Sequence, residues 1–489
     1  MNDINLHIQP QLLSDLVSGL GVYSQDIMVM RICDDTRQLQ AGDAFLCMPR
    51  VQDKDALIAQ ALAQGASIVI VIGKLEQSLA VACACLPDMT AAGKMLRRWF
   101  ATESAQVPCI GITGTDGKTS TAWMLREVLE LHFGSAWSCG TLGWMKSKDD
   151  ITALGNTTPS LMNLHRIYAL ACQQSIGALV LEVSSHGIAQ ERIAALPFSA
   201  AIWTTIGQDH LEDHGGFDTY LACKASFVRN VVEQQGIAIC NADYPLIQQA
   251  LDKVQGSVYW YGQHDDDICW IRENTAVCFS AQQERVCLNH VPVADFHAEN
   301  LAAVVLLMQE LFDVSLSSFS AWDGQISTPM GRLEPVNDEA TVFIDYAHTA
   351  EGLKRCLQSA RDLTEEQLLL VFGCGGDRDK GKRPLMGEMA VTYADQCWLT
   401  ADNPRSEQQE DIARDVLQGV GSQQDKVHIV HDRAEAIAQA VSSLTCGDVL
   451  VIAGKGHESY MDTQGEKLPW SDKAQALKAM KEFGEISCA

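Results

Sequence analysis

Residues 107–121 read VPCIGITGTDGKTST, and this stretch decides how the chain folds. A short apolar run, Val107–Thr113, is typical of a buried strand, and it passes directly into a glycine-rich turn. A helical pattern over Thr119–His132 follows the turn. Backbone amides that face inward at such a turn, together with a helix N-terminus, stabilise an anion. The order of strand, turn and helix therefore predicts a phosphate-binding loop.

The spacing of this loop differs from the common GxxxxGK[ST] pattern. Ile112 stands six positions before Lys118, with Gly111 and Gly114 on either side of it. We interpret the loop as a variant in which Lys118 reaches the terminal phosphates and the hydroxyl of Thr119 binds Mg²⁺. The alternative is a glycine-rich turn without a ligand. A phosphate loop by itself indicates only that a nucleotide binds, so neighbouring motifs must identify the chemistry.

Outside this loop, short apolar runs alternate with helical patterns, which predicts an α/β fold with largely parallel sheets covered on both faces. The length of 489 residues predicts about three domains. We place a small α/β N-terminal domain at 1–103, a central phosphate-loop domain with a parallel or mixed sheet at 104–328, and a C-terminal Rossmann-like, doubly wound domain at 329–489. Residues 255–290 are rich in β-forming residues and predict a β excursion.

Composition excludes several classes of protein. The chain has 36 basic and 62 acidic residues, a net charge of −26, which disfavours non-specific binding to nucleic acid or to anionic membranes. A hydrophobic share of 47% excludes a disordered or collagen-like chain. Apolar runs stay below the length of about 18 residues that crosses a membrane. The first residues, MNDINLHIQP, lack the features of a secretion signal. We therefore expect a cytoplasmic protein without membrane insertion.

The 17 cysteines are scattered, odd in number and without a CxxC pair, and Cys83 and Cys85 are the one close pair. Scattered cysteines without a secretion signal predict buried, unpaired thiols in a reducing compartment. We expect neither a disulfide framework nor a zinc site.

Ten motifs in order along the chain resemble those of the Mur ligases, the ATP-dependent amide ligases of cell-wall precursor synthesis. The motifs are GTDGKTST (114–121), NTTPS (156–160), EVSSHGIAQERIAAL (182–196), QDHLEDHG (208–215), YLACKASF (220–227), GRLE (331–334), DYAH (345–348), FGCGGDRDKGKRP (372–384), DNPRSE (402–407) and GKGHE (454–458). The resemblance is greatest to the MurE-type members, which add the third residue of the stem peptide to UDP-N-acetylmuramoyl-L-alanyl-D-glutamate. It implies separate domains for the UDP end, for ATP and for the incoming amino acid.

The resemblance also implies a mechanism. ATP phosphorylates the acceptor carboxylate, and the amine of the amino acid attacks the acyl phosphate to give an amide. Cations must offset the repulsion between ATP and a carboxylate. The residues implied for catalysis are Lys118, Lys224, His210 and Glu182, and those implied for Mg²⁺ are Thr119, Glu182, His210 and Lys224. The last of these matches a lysine that the family carries as a carbamate. The alternative for Glu182 is a solvated acid at a strand end, and that for His210 is a packed or surface histidine. The alternative for Lys224 is an ordinary surface lysine.

Three further sets of residues match binding positions of the family. The set implied for ATP is Gly114, Thr115, Asp116, Gly117, Lys118, Thr119, Ser120, Asn300, Arg332, Asp345 and His348. The set implied for the UDP-linked acceptor is Thr36, Thr157, Thr158, Ser184, Gln190 and Arg192. The set implied for the amino acid is Arg378, Asp402, Asn403, Pro404, Arg405, Gly454 and Glu458.

The motif Asp402–Arg405 reads DNPR and resembles the version associated with meso-2,6-diaminopimelate. Arg405 can pair bidentately with the distal carboxylate of diaminopimelate. A lysine substrate has no such carboxylate and would leave Arg405 unpaired. A hydrogen bond to a charged group contributes about 1.5–3 kcal/mol, which corresponds to about 10- to 150-fold discrimination. Glu458 can accept an ammonium group. The alternative for Arg405 is a surface arginine in a turn after Pro404.

Some positions depart from the family pattern, and they keep three hypotheses open. Asp116 and His297 stand where asparagine is usual, and the segment Met48–Lys54 differs from the usual glycine-containing loop near uridine. The first hypothesis is a monomeric Mur ligase whose small-molecule substrates are the UDP-muramoyl dipeptide and meso-diaminopimelate. The second is a paralogous ligase of the same chemistry for another carboxylate acceptor. The third is a catalytically silent nucleotide-binding or scaffold protein.

Overall fold

The computed structural model describes residues 6, 8–49, 53–75, 78–207, 214–264, 266–281, 284–336 and 341–483. The chain divides into two compact units. One comprises Met1–Gly262 and Ala303–Val314, and the other comprises Gln263–Ala302 and Ser315–Ala489. Strands and helices alternate in both units, which confirms the predicted α/β fold class. The three domain limits placed from the sequence stay predictions.

The first sheet of the first unit has five strands, four of them parallel. In spatial order they are Val22–Tyr23, Ala82–Leu86, Ile68–Ile72, Ala44–Cys47 and Ile32–Cys33, and the first pairs antiparallel. The central strand reads IVIVI and is buried throughout, as a strand covered on both faces requires. Helix Met89–Trp99 packs on one face and helix Lys54–Ala63 on the other. Smaller elements are the strand pair Gln11–Leu12 and Met28–Val29, helix Leu13–Val17 and the 3-10 helix Thr36–Gln38.

The second sheet of this unit is built around the strand that precedes the glycine-rich turn. Its strands in spatial order are Ile151–Thr152, Gly143–Met145, Trp137–Gly140, Leu179–Glu182, Cys109–Thr113, Phe198–Trp203, Ile237–Asn241 and Val258–Gly262. The last six run parallel. The helices between them are Lys118–Phe133, Leu161–Gln173, Ser185–Ala189, Phe217–Glu233 and Pro245–Leu251. The predicted strand, turn and helix at the start of this region are present.

The second unit begins with the predicted β excursion. Its antiparallel strands are Ile268–Glu273, Ala276–Ala281 and Glu284–Leu288. Helix Asp295–Phe312 follows in the chain, with its residues from Ala303 onward in the first unit, and the 3-10 helix Leu316–Trp322 comes next.

One cysteine pair in this unit contradicts the expectation of unpaired thiols. Cys278 and Cys287 lie directly opposite each other on neighbouring strands, with Cα atoms 4.0 Å apart, and form a disulfide bond. Cys446 is also disulfide-bonded. The expectation is wrong here because spacing along the chain does not reveal the register that places two cysteines side by side. The remaining described cysteines are free, and most of them are buried.

The large sheet of the second unit is doubly wound. Its strands in spatial order are Glu334–Pro335, Val342–Asp345, Val449–Ala453, Leu368–Phe372, Gln396–Leu399 and Val427–Ile429, and all but the first run parallel. The helices are Ala350–Arg361, Lys382–Tyr393, Gln409–Val420, Arg433–Ser442 and Asp472–Phe483, and Tyr460–Thr463 forms a hairpin with Glu466–Pro469. Val449–Ala453, the last parallel strand along the chain, lies between Val342–Asp345 and Leu368–Phe372. The strand order therefore reverses at this point, and the loops after these strands meet at one edge of the sheet, where such sheets bind ligands.

Among the residues that the structure describes, no helix combines the length and the apolar character needed to cross a membrane.

Candidate functional site

The glycine-rich turn of the first unit joins the strand Cys109–Thr113 to the helix Lys118–Phe133. Gly114 and Gly117 have φ angles of +154° and +83°, a region that glycine adopts readily and other residues rarely do. A Cβ atom on Gly114 would lie only 2.0 Å from Thr204 Oγ1. Both the backbone angle and the close approach therefore require glycine in this turn.

The next strand of the sheet fixes the turn from one side. The backbone amide of Asp116 donates to Thr205 Oγ1 at 2.8 Å, and that of Thr115 donates to the Thr205 carbonyl at 3.0 Å. Thr204 Oγ1 donates to the Asp116 carbonyl at 2.5 Å. These bonds use only the backbone of Asp116. The bonds that hold the turn therefore do not depend on the side chain of Asp116, the aspartate that stands where asparagine is usual.

Two lysines converge on the same turn. Lys118 Nζ donates to the carbonyl oxygens of Gly114 and Thr115 at 2.9 and 2.8 Å. Lys224 Nζ donates to the Gly114 carbonyl at 2.8 Å and lies 4.6 Å from the centre of the Tyr220 ring. Lys224 is only 1% exposed, so it is an interior residue of this cluster and not a surface lysine. Lys118 supplies positive charge where a polyanion would bind, and Lys224 brings a second, buried amine to the same turn.

Glu182 ends the strand beside the turn, and its carboxylate is buried. Thr119 Oγ1 and Thr141 Oγ1 donate to Glu182 Oε2 at 2.9 and 3.0 Å, and the Thr141 amide donates to Oε1 at 3.0 Å. Within the described part of the chain, no basic side chain forms an ion pair with Glu182. A buried carboxylate without a cation, beside a hydroxyl, is a donor set that suits a hard divalent ion such as Mg²⁺.

The residues predicted for the acceptor form a connected group at the end of the same strand. Thr158 Oγ1 donates to the Glu182 carbonyl at 2.8 Å and accepts from the Ser184 amide at 2.9 Å. Arg192 Nη1 donates to the Thr158 carbonyl at 2.7 Å, and Arg192 Nε donates to Gln190 Oε1 at 2.9 Å. Burial lowers the pKa of Arg192. The structure thus brings four of the six predicted acceptor residues together beside Glu182.

Of the two remaining acceptor residues, Thr157 adjoins this group and Thr36 does not, and one predicted metal ligand is not described. Thr157 directly precedes Thr158, and its Oγ1 lies 3.2 Å from Oγ1 of Thr141, which binds Glu182. Thr36 is buried in the 3-10 helix Thr36–Gln38, and no hydrogen bond among the described residues links it to the others. His210 falls within 208–213, outside the described residues.

In the second unit, three basic side chains lie around the Tyr346 ring. The Arg332 guanidinium lies 4.8 Å from the centre of the Tyr346 ring, and the rings of His348 and His457 lie 4.7 and 5.0 Å from it. Asp345 directly precedes Tyr346 at the end of a strand. Its carboxylate accepts hydrogen bonds from the backbone amides of Leu333 and Ala347, both at 2.7 Å. Burial raises the pKa of Asp345, although Arg332 opposes this shift. Three predicted nucleotide residues therefore lie together.

The fourth predicted nucleotide residue of this unit, Asn300, is buried in the helix Asp295–Phe312. His297, one turn earlier, is also buried, and burial lowers its pKa to about 3. The imidazole that replaces the usual asparagine is therefore neutral at physiological pH.

The loop that carries Arg405 packs closely against the loop after Leu368–Phe372. Arg405 has a φ of +50°, and its Nη1 donates to the Gly376 carbonyl at 2.6 Å. A Cβ atom on Gly376 would lie 1.9 Å from the Pro404 carbonyl oxygen. Ser406 Oγ also donates to Asp377 Oδ1 at 2.7 Å. The arginine is thus held by two loops and not left free on the surface.

The other predicted amino-acid residues lie at neighbouring strand ends. Asn403 Nδ2 donates to Glu458 Oε2 at 2.9 Å, and Asp402 is buried beside them. Gly454 has a φ of +111°, and a Cβ atom there would lie 3.6 Å from Asp402 Oδ2. By contrast, Arg378 is exposed.

Three residues in contact with these groups were not assigned from the sequence. Thr141 makes two of the three hydrogen bonds to the Glu182 carboxylate. Lys455 contacts Asp402 and Glu458, and Arg433 donates to the carbonyl groups of Ala401 and Ala453. The signal for Lys455 was its position inside the GKGHE motif. Nothing in the sequence around Thr141 or Arg433 indicates these contacts, because they depend on how the loops fold.

The turn, the lysine pair and Glu182 define the first unit as a phosphate-loop α/β protein. A match to the Mur ligase middle domain covers residues 112–308, and a match to the Mur ligase glutamate ligase domain covers residues 331–456. The chain is 31% identical to the UDP-N-acetylmuramoyl-L-alanyl-D-glutamate–2,6-diaminopimelate ligase of Syntrophomonas wolfei, over 96% of this chain and 99% of that protein. The chain belongs to the Mur ligase family.

Solved structures agree with this assignment. A structure of UDP-N-acetylmuramoyl-L-alanyl-D-glutamate–2,6-diaminopimelate ligase is 26% identical, with a TM-score of 0.70 over 97% of this chain and 99% of that chain. The MurF ligase from Thermotoga maritima in complex with ADP is 17% identical, with a TM-score of 0.60 over 93% of this chain and 97% of that chain. The second likeness concerns the fold alone.

Proposed function

We propose that this chain is an ATP-dependent amide ligase that adds meso-2,6-diaminopimelate to UDP-N-acetylmuramoyl-L-alanyl-D-glutamate. The observation that carries this proposal is the buried Glu182 carboxylate, bonded to Thr119 beside a turn on which Lys118 and Lys224 converge. This arrangement suits phosphoryl transfer to a carboxylate. Similarity to diaminopimelate ligases along almost the whole chain supports the choice of substrates.

The turn binds the phosphates of ATP in this proposal. The N-terminus of the helix Lys118–Phe133 receives the anion, and Lys118 exchanges its two carbonyl acceptors for phosphate oxygens. Because charge develops on the transferred group and on a second anion, the acceptor carboxylate, fixed cations lower the barrier most where these anions meet.

Thr119 and Glu182 are the residues proposed to hold Mg²⁺, and His210 is proposed as a further ligand. When bound, the ion supplies positive charge that neutralises the phosphates. Lys224 is proposed to carry a carbamate, formed when its neutral amine attacks CO₂ and loses a proton. The modification converts a buried cation into an anion, and this anion supports the metal site.

The reaction then proceeds in two steps. An oxygen of the acceptor carboxylate attacks the γ-phosphorus, the bond to ADP breaks, and an acyl phosphate forms. The amine of the amino acid attacks the acyl carbon, the amine loses a proton, and phosphate leaves as the amide forms. We propose Thr158, Ser184, Gln190 and Arg192 as acceptor-binding residues, because they form one hydrogen-bonded group beside Glu182.

Selection of the amino acid is assigned to the second unit. Arg405 pairs with the distal carboxylate of diaminopimelate, and Asp402 and Glu458 face its distal ammonium group. The assignments of Asn300, Arg332, Asp345 and His348 to the nucleotide, and of Thr36 and Thr157 to the acceptor, stay predictions from the sequence. So do the three domain limits, the monomeric state, the cytoplasmic location and the absence of nucleic-acid partners.

Purified protein mixed with MgATP, UDP-N-acetylmuramoyl-L-alanyl-D-glutamate and meso-diaminopimelate tests the proposal. We expect the UDP-muramoyl tripeptide by mass spectrometry, ADP in equal amount, and much less product with lysine. A Lys118→Ala variant serves as the inactive control. Phosphate release confined to another carboxylate acceptor would favour a paralogous ligase. ATP binding without any turnover would favour a silent nucleotide-binding protein.

A further inference from the structure

Lys455 is a fully buried lysine among the residues proposed to bind the amino acid. Its Nζ lies 3.0 Å from Asn403 Oδ1, 3.1 Å from Glu458 Oε2 and 3.5 Å from Asp402 Oδ1. Its side chain has 0% exposure. An ammonium group has three N–H donors, and three acceptors surround this one. Lys455 therefore has no donor left for a substrate and can act only through its partners.

The partners of Lys455 are bonded to one another. Asn403 Nδ2 donates to Glu458 Oε2 at 2.9 Å, and the backbone amide of Asp462 donates to Asn403 Oδ1 at 2.8 Å. Each of these bonds shares an oxygen with Lys455. Lys455 thereby fixes the rotamers of the Asn403 and Glu458 side chains.

The charges in this group do not cancel. Asp402 and Glu458 carry two negative charges, and Lys455 supplies one positive charge. The nearby Arg433 is already paired with Asp472, so it adds no net charge. Among the described residues, Glu458 Oε1 and Asp402 Oδ2 accept no hydrogen bond, although the side chain of Asp402 is only 9% exposed and that of Glu458 20%. Within the trio of Asp402, Glu458 and Lys455, one negative charge is therefore left over, and the two free carboxylate oxygens suit a cationic ligand.

We propose that Lys455 is a positioning residue that holds Asp402 and Glu458 as a cradle for the distal ammonium group of the amino-acid substrate. The inference rests on the proposed function and deepens it. One oxygen of each carboxylate is taken up by Lys455, and the other is left to face the ligand. Without the lysine, two carboxylates would repel each other and lose their common orientation.

The test compares two substrates. One is meso-diaminopimelate, and the other is 2-aminopimelate, which keeps both carboxylates and lacks the distal amine. In Lys455→Met we expect the KM for meso-diaminopimelate to rise about tenfold or more. The KM for ATP, and the KM for 2-aminopimelate, should stay within about twofold of their wild-type values. Lys467→Met, an exposed lysine on the neighbouring hairpin, is the matched control and should leave both substrates unchanged.

A double variant separates positioning from a general loss of structure. Lys455→Met/Glu458→Gln carries one carboxylate in place of two, which removes the repulsion that could unfold Lys455→Met. In the Glu458→Gln background Lys455 positions only Asp402. The rise in KM for meso-diaminopimelate caused by Lys455→Met should therefore be smaller in this background than in wild type.

Three results would overturn the inference. The first is an equal rise in KM for both amino acids in Lys455→Met, and the second is no rise in either. The third is a rise in KM from Lys455→Met that is as large in the Glu458→Gln background as in wild type. If wild-type protein forms no tripeptide, the proposed function fails and the inference fails with it. An active wild-type enzyme with an unchanged substrate ratio in Lys455→Met overturns the inference alone.

Discussion

Arg433 and Asp472 form an ion pair in which neither side chain is exposed. Arg433 Nε and Nη2 donate to the two oxygens of Asp472 at 2.8 and 2.7 Å. The same guanidinium donates to the carbonyl groups of Ala401 at 3.1 Å and Ala453 at 2.9 Å. These alanines directly precede Asp402 and Gly454. One buried arginine thus joins the starts of two loops that carry the proposed amino-acid site.

Removing one partner of this pair should destabilise the protein strongly. Asp472→Asn leaves a buried guanidinium without its counter-charge, which costs about 3–5 kcal/mol. We expect a lower midpoint of urea unfolding, measured by circular dichroism. Asp425→Asn, an exposed aspartate, should leave the midpoint unchanged. Equal midpoints for Asp472→Asn and wild type would contradict this role.

The carboxylate of Glu182 should be essential for turnover but not for folding. Glu182→Gln keeps the shape of the side chain and the acceptor for the Thr141 amide, while its NH2 group now donates to the hydroxyls of Thr119 and Thr141. The variant removes the charge proposed to hold Mg²⁺. We expect kcat to fall by about 100-fold or more, with a higher Mg²⁺ concentration needed for half-maximal rate. Phosphate release at several Mg²⁺ concentrations measures both effects. The control Glu233→Gln changes an exposed glutamate and should behave as wild type; an unchanged Mg²⁺ requirement in Glu182→Gln would exclude the metal role.

A single methyl group at Gly376 should disrupt the amino-acid loop. In Gly376→Ala the new Cβ would lie 1.9 Å from the Pro404 carbonyl oxygen, so the backbone next to Arg405 must move. We expect the KM for meso-diaminopimelate to rise by about tenfold or more, because Arg405 loses its geometry, while the KM for ATP changes little. Gly155→Ala meets no neighbouring atom within 4 Å and is the control. Steady-state kinetics with each substrate varied in turn would decide between these outcomes.

The sequence predicted the fold well where the local pattern of residues is enough to indicate a single strand or helix. The strand at Leu368–Phe372 and the helix after the glycine-rich turn follow from apolar pattern and turn chemistry alone. Contacts between loops that are distant in the sequence could not be predicted. The burial of Lys455, the Arg433 pair and the cross-strand Cys278–Cys287 bond all depend on register and loop packing, which composition and spacing do not encode.

Arg405 should determine the choice between diaminopimelate and lysine. Arg405→Gln removes the cation proposed for the distal carboxylate, so the preference for meso-diaminopimelate over lysine should fall by about 10- to 150-fold. Competition between the two amino acids, with products separated by mass, measures this ratio. Arg414→Gln removes an exposed arginine and should leave the ratio unchanged. A ratio that Arg405→Gln does not alter would assign selection to other residues.

Glu407 should make the second unit sensitive to acid. Arg383 donates to both of its carboxylate oxygens at 2.8 and 3.0 Å, and these bonds lower the pKa of Glu407 from 4.5 to about 2. The amide of Asp377 and the side chain of Lys380 also bind this carboxylate, and Asp415 shares Arg383 with it.

Because the folded-state pKa lies below the unfolded value, the carboxylate contributes stability above about pH 4.5 and loses it as the pH falls towards 2. In urea unfolding at pH 7, Glu407→Gln should therefore have a lower midpoint than wild type, and the difference should shrink between pH 4.5 and 2. Glu366→Gln, an exposed glutamate, should show no such dependence. A gap between wild type and Glu407→Gln that stays constant from pH 7 to 3 would mean that the carboxylate stabilises the fold through its shape and not through its charge.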